Sequence, residues 1–307
     1  MTNALTLRDS DGNSSPMCAE AIQNHIILSD GRHLGFAEFG DLKGKPIFYF
    51  HGFPGSRLEA RLADRISRET HIRFIGIDRP GYGLSSPKAG RTVIDWVEDV
   101  TELADLLGIP RFSILGVSGG GPYAAACAYK IPHRLDAVGI VCGMGPVDVP
   151  GLMVDMPRMC RLGLRLAGRR PQIVSALYPF SAVLFRYYPE CMLALISGKV
   201  APPDKIALKN TALAAILSTS FREAFRNSMR WPATDVVLYS HPWGFPLKDI
   251  HIPVHLWHGE KDRIVPPAMG HHVAETIPDC RATFYADEGH FSIILNRIHE
   301  IWQIFHI

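Results

Sequence analysis

The sequence predicts an α/β fold: a mostly parallel β-sheet covered by helices on both faces and interrupted by a helical insertion. Three observations carry this. Short apolar runs alternate with helix-like stretches up to residue 145 and again from 250, the pattern of parallel strands joined by crossover helices. Glycine-rich segments follow the apolar runs, as at His51-Gly52-Phe53-Pro54-Gly55 and Gly116-Val117-Ser118-Gly119-Gly120. Between 146 and 249 the alternation stops, and Leu, Arg, Met, Tyr and Pro at helical spacing take over.

Taken in order, 24–29 and 33–39 read as strands joined by the Asp30-Gly31 hairpin signal. A fully apolar strand at 47–50 runs into His51-Gly52-Phe53, and 57–69 reads as a helix. The strand at 74–77 ends in Asp78-Arg79-Pro80-Gly81. An amphipathic helix at 92–107 is closed by Gly108 and Pro110. The strand at 112–115 meets G-x-S-x-G, then Pro122 in the first turn of a buried helix, where a missing N–H is tolerated. After the strand at 135–141 comes the insertion. The sheet resumes with a strand at 254–257, a helix at 268–276, a strand at 282–285 and a terminal helix at 293–305. The core is therefore expected over 23–145 and 250–307, with the insertion at 146–249.

Residues 1–22 are polar and lack a basic segment followed by an apolar one, so they read as a disordered tail rather than a secretion signal. The net charge of +2 over 307 residues makes no case for nucleic acid, and no apolar stretch is long enough to span a bilayer. Six cysteines are scattered without C-x-x-C spacing, which suits a reducing compartment. The expectation is a cytoplasmic monomer or homodimer acting on a small molecule.

Parallel sheets bind ligands beyond the carboxyl ends of their strands, so the glycine-rich loops should converge on one cleft. A strand that reverses into a helix at G-x-S-x-G holds its serine in a strained turn and lifts the hydroxyl out of the sheet. Ser118 is the candidate nucleophile, and it needs a base and an orienting acid. His290, bracketed by Gly289 after the last strand, is the candidate base. His51 and His258 read as loop-stitching donors, His271, His272 and His299 as helix residues. Asp262 is the preferred acid; Glu260 could substitute on geometry, Asp148 is a further candidate, and Asp78 reads as a structural turn. Oxyanion donors are expected at the N–H groups of Gly119 and Phe53. No metal-ligand spacing, dinucleotide fingerprint or phosphate loop is present, so no cofactor is expected.

Together, His51-Gly52-Phe53-Pro54-Gly55, Asp78-Arg79-Pro80-Gly81-Tyr82-Gly83-Leu84-Ser85, the Ser118 segment, His258-Gly259-Glu260-Lys261-Asp262 and Gly289-His290 resemble the α/β-hydrolase family, in its order of nucleophile, acid and base. The resemblance implies an eight-stranded, mostly parallel sheet, a helical cap and a cofactor-free acyl-enzyme mechanism. A serine at the elbow, where epoxide hydrolases and haloalkane dehalogenases of similar layout carry aspartate, favours acyl transfer to water from an apolar carboxylic ester. A lactonase, thioesterase or carbon–carbon hydrolase, a ligand-binding receptor, and a cyclase or lyase are the alternatives.

In the insertion, Met153, Met156, Phe180 and Phe185 are candidate substrate contacts, with Met159, Leu177 and Leu195 beside them. Such residues also read as insertion core. Arg158, Arg161, Arg165, Arg169 and Arg170 read as a solvated helix face, or as an attraction for acidic substrates or anionic lipid.

Overall fold

The computed structural model describes residues 22–305 together with Leu7–Arg8 and Ser14–Ser15, which pair antiparallel. The rest of the expected tail lies outside the described residues. Eight strands form one sheet: β1 (Ile22–Ile27), β2 (His33–Gly40), β3 (Lys45–Phe50), β4 (Ile72–Ile77), β5 (Phe112–Val117), β6 (Leu135–Val141), β7 (Val254–Gly259) and β8 (Cys280–Tyr285). Their order is β8-β7-β6-β5-β3-β4-β2-β1. β2 runs antiparallel to both β1 and β4, and the other neighbours are parallel.

Strand alternation divides the core. Phe48, Phe50 and Ile114 point to the face covered by α2 (Trp96–Leu106) and α3 (Gly121–Lys130). Ile47, Tyr49 and Leu115 point to the opposite face, packed with Ala60, Ala63 and Trp302. β5 lies between strands on both sides and layers on both faces, and all six of its residues are buried. That is why its sequence, Ser113 apart, is a near-continuous apolar run rather than an alternating one.

Three expected helices differ in detail. The one expected at 92–107 begins at Trp96, because Thr92 and Asp95 first close a turn, each accepting the other's backbone N–H at 2.7 and 3.3 Å. The one expected at 57–69 divides into a 3₁₀ segment, Arg57–Ala63, and α1, Asp64–Glu69. Arg57 and Glu59 are both drawn inward, which tighter winding eases by bringing alternate residues nearer one face. The terminal helix breaks at Arg297 into α11 (Ser292–Asn296) and α12 (Ile298–Trp302), followed by a 3₁₀ turn at Gln303–Phe305. At the break, Asn296 and Arg297 side chains both reach Glu288, at 3.0 and 3.1 Å.

Between β6 and β7 lie α4 (Arg158–Arg169), α5 (Pro171–Tyr187), α6 (Pro189–Ser197), α7 (Pro202–Ala207), α8 (Thr211–Ala224) and α9 (Ala233–Tyr239); α10 (Pro267–Thr276) follows β7. Pro171, Pro189 and Pro202 each open a helix, where their missing N–H has no intrahelical partner to lose. α8 packs on the 3₁₀ segment Arg57–Ala63, and α7 on α11. Among the described residues, no helix is long and apolar enough to cross a membrane.

Candidate active site

Ser118 follows the last residue of β5 and has φ +54°, a left-handed conformation that is costly for a residue with a side chain. The glycines around it make the turn possible. A Cβ at Gly116 would lie 2.7 Å from the Gly120 carbonyl oxygen, and one at Gly120 would lie 2.1 Å from the Phe50 oxygen.

The turn delivers Ser118 Oγ to within 3.0 Å of His290 Nε2. His290 Nδ1 lies 2.7 Å from Asp262 Oδ2. A carboxylate only accepts, so Nδ1 carries the hydrogen and the Nε2 lone pair faces the hydroxyl. The other Asp262 oxygen accepts from the N–H groups of Ile264 and Val265 at 2.7 and 2.9 Å. All three side chains are buried, Ser118 being 9% exposed. Burial by itself would raise the Asp262 carboxyl, but His290 and the donated hydrogen bonds outweigh it and hold it below the usual range. Burial likewise works against the His290 imidazolium; Asp262, helped by Asp204 and Glu59, outweighs it and lifts His290 above its ordinary value. Cys142 Sγ lies with Asp262 and His290 within 4.8 Å, and burial pushes that thiol well up, so it stands there uncharged.

The two residues expected to supply oxyanion donors adjoin. A Cβ built on Gly119 would come 2.9 Å from Phe53 Cβ. Gly119 sits in the 3₁₀ turn Ser118–Gly120 that leads into α3, where early N–H groups lack intrahelical acceptors. The neighbouring Gly52 N–H is committed to Glu59 Oε2 at 2.9 Å. Glu59 also accepts from Tyr49 and Ser220 at 3.0 and 3.2 Å, and burial pushes its carboxyl up.

The competing histidines and acids stand elsewhere. His51 Nδ1 donates to the Gly52 carbonyl at 2.8 Å, and His258 Nε2 to the Val265 carbonyl at 3.0 Å. Asp78 accepts from the Arg57 backbone and guanidinium at 2.7 and 2.6 Å and from Leu84 N–H at 2.9 Å. Glu260 pairs with His271 at the surface, and Asp148 is exposed.

Two buried carboxylates from the insertion reach this edge of the sheet, and sequence reasoning missed both. Asp204, in α7, accepts from the backbone N–H groups of His290, Phe291 and Ser292 at 2.9, 2.8 and 2.9 Å. Gly289 makes room for it: a Cβ there would lie 2.3 Å from Asp204 Oδ2. Asp235, in α9, accepts from Arg79 Nε at 2.7 Å, from Arg91, and from the hydroxyls of Tyr123 and Tyr82 at 2.7 and 2.9 Å. Burial would raise Asp235, but the two guanidiniums hold it far below the carboxylate range. Tyr239, one turn on, donates to the Gly119 carbonyl at 2.8 Å. The only sequence signal for Asp204 was its place in the first turn of a proline-opened helix.

The four expected substrate contacts are dispersed. Met156 is buried in the core on the α3 side, with Met153 half-buried against it. Phe185 packs on Phe221 and Phe225, with ring centroids 5.2 and 6.0 Å apart. Phe180 is 74% exposed, which corrects its expected place in a pocket: α5 turns Val174 and Ala182 inward, and Phe180 lies on the other side.

The α/β-hydrolase-fold family profile matches residues 45–297, and the chain belongs to that family. A proline iminopeptidase of Xylella fastidiosa is 31% identical over 112 residues, 36% of this chain and 36% of that protein. A putative 2-succinyl-6-hydroxy-2,4-cyclohexadiene-1-carboxylate synthase of Bacillus subtilis is 29% identical over 117 residues, 37% of this chain and 42% of that one. This chain thus aligns with well under half the length of these curated relatives. Among solved structures, a thermophilic esterase of Thermogutta terrifontis superposes with TM-score 0.65 at 20% identity, covering 94% of this chain and 97% of that one. An enol-lactonase of Burkholderia xenovorans superposes with TM-score 0.67 at 17% identity, covering 92% and 98%.

Proposed function

We propose that the chain is a serine hydrolase that cleaves small to medium apolar carboxylic esters through an acyl-enzyme. The observation that carries this reading is the unbroken row of hydrogen-bond distances from Ser118 Oγ through His290 to Asp262. In the first half-reaction His290 Nε2 takes the Ser118 proton as Oγ bonds to the ester carbonyl carbon. The N–H groups of Gly119 and Phe53 stabilise the oxyanion. The imidazolium, held by Asp262, protonates the departing alkoxide. Water, deprotonated by the same imidazole, then releases the carboxylic acid and restores Ser118. The helices between β6 and β7 act as the cap, and the five described cysteines, all free, suit a reducing, cytoplasmic setting.

The iminopeptidase relative raises a second reading, an aminopeptidase. Such an enzyme needs a carboxylate facing the substrate ammonium. Glu59, Asp204 and Asp235 are instead occupied by protein donors, each by three or more. This commitment favours substrates without an amino terminus.

The test uses purified protein with a fluorophosphonate probe, nitrophenyl esters of graded chain length, and prolyl naphthylamide. Labelling that Ser118→Ala abolishes, with turnover of the esters and not the amide, is the expected result. Labelling without turnover of any substrate would replace the enzyme with a binding protein, and faster turnover of the amide would make it a peptidase.

A further inference from the structure

We propose that the outward face of α4 and α5 docks on an anionic lipid bilayer. Ile173, Leu177, Phe180, Leu184 and Tyr187 recur along α5 at alternating spacings of four and three, and all five are exposed. That spacing places them on one side of the helix. On α4, which packs against α5, Met159 and Leu162 are exposed as well. A surface this apolar is seldom left bare in a soluble protein, and it marks a contact.

Charge identifies the occupant. Residues 158–189 hold six arginines, Arg158, Arg161, Arg165, Arg169, Arg170 and Arg186, and no acidic residue. Arg158, Arg165, Arg169 and Arg170 are exposed, on or just after α4. A second copy of the chain on this face would set arginine against arginine. Nucleic acid would satisfy the arginines but has no apolar layer to receive Phe180 and its neighbours. An anionic bilayer offers both: phosphate-bearing head groups for the guanidiniums and an acyl boundary for the α5 stripe. The inward side of α5 is already packed, with Val174 buried and Ala182 buried in a cluster with Tyr82, Ala224 and Phe225, so the stripe is free to insert without unpacking the helix.

The surface would bind whether or not Ser118 reacts, so the test reads binding alone. Full-length protein is floated with phosphatidylcholine vesicles, or with vesicles in which phosphatidylglycerol is about a third of the lipid. Partition is expected to be about tenfold or more stronger onto the anionic vesicles, and to weaken as salt rises. Phe180→Ser should lower it about tenfold, and Arg165→Glu with Arg169→Glu by at least as much. These side chains are exposed, so thermal melting should confirm that the variants remain folded. The comparison between lipids uses the unaltered protein and decides the matter even if a variant misfolds. Equal partition onto both vesicle types, or none onto either, overturns the proposal. So does a concentration-dependent dimer that Phe180→Ser dissolves in protein that does not float.

Discussion

The loops at the strand ends and the helices between β6 and β7 treat polar and apolar groups in opposite ways. At the strand ends, buried charge is matched by close donors: Asp78 by Arg57 and Leu84, Asp262 by His290, Ile264 and Val265. In the insertion, a row of large apolar side chains is left in solvent along α5. Among the ties between the two regions are Asp204 and Asp235, both carried by the insertion and both fully buried. The difference shows a division of labour. The sheet edge holds a few atoms in fixed geometry, and the insertion is tied to that edge by buried polar groups, Asp204 and Asp235 foremost, while the apolar stripe along α5 stays in solvent. An unpaired group buried in low dielectric is costly, so these ties are where the two regions should prove coupled.

The largest effect should come from the strand ends themselves. Ser118→Ala and His290→Ala should each lower kcat for a nitrophenyl ester by roughly 10⁴-fold or more, with the melting temperature little changed. If either variant kept most of its activity, the catalytic half of the comparison would collapse.

Asp235→Asn tests the first tie. It leaves Arg79 and Arg91 buried without their counter-charge, and unfolding in urea should show a loss of about 3–5 kcal/mol. A stability equal to the parent's would mean that the insertion does not lean on the core here.

Asp204→Asn tests the second, with a smaller effect on rate. The amide keeps one acceptor oxygen for the three N–H groups of the His290 loop, and kcat should fall roughly tenfold. The pH profile separates positioning from simple loss of fold. The base must be neutral to work, so kcat/KM should fall as pH drops through the His290 pKa, which lies above its ordinary 6.5. Asp204 is one of the charges that raise it, so the Asn variant should carry its acid limb to lower pH. An unmoved limb would reduce Asp204 to a structural tie.

Tyr239→Phe should be the mildest. It removes one hydrogen bond to the Gly119 carbonyl, and kcat should change less than tenfold, about 1 kcal/mol, measured on the same esters.

Much of the molecule was legible in the chain because the signals are local. Short apolar runs alternating with helical stretches marked the sheet, the glycines around Ser118 marked the strained turn, and the positions of Asp262 and His290 after consecutive strands followed from the rule that loops at one sheet edge converge. Element ends were less legible, since Thr92, Asp95 and Arg297 act through side-chain bonds that periodicity does not register.

By itself, then, the sequence determined the order of strands and helices outside the insertion, the turn at Ser118, and Ser118 and His290 as candidates, because each is marked by residues a few positions away; that Asp262 rather than Glu260 or Asp148 meets His290 was decided by the fold. Only the tertiary structure decided which carboxylates anchor the insertion and which way α5 faces. Asp204 finds the His290 N–H across 86 positions of chain, and a helix of mixed apolar and basic residues can bury either side until its neighbours choose one. Such pairings are settled by packing in three dimensions, where burial makes each wrong choice expensive.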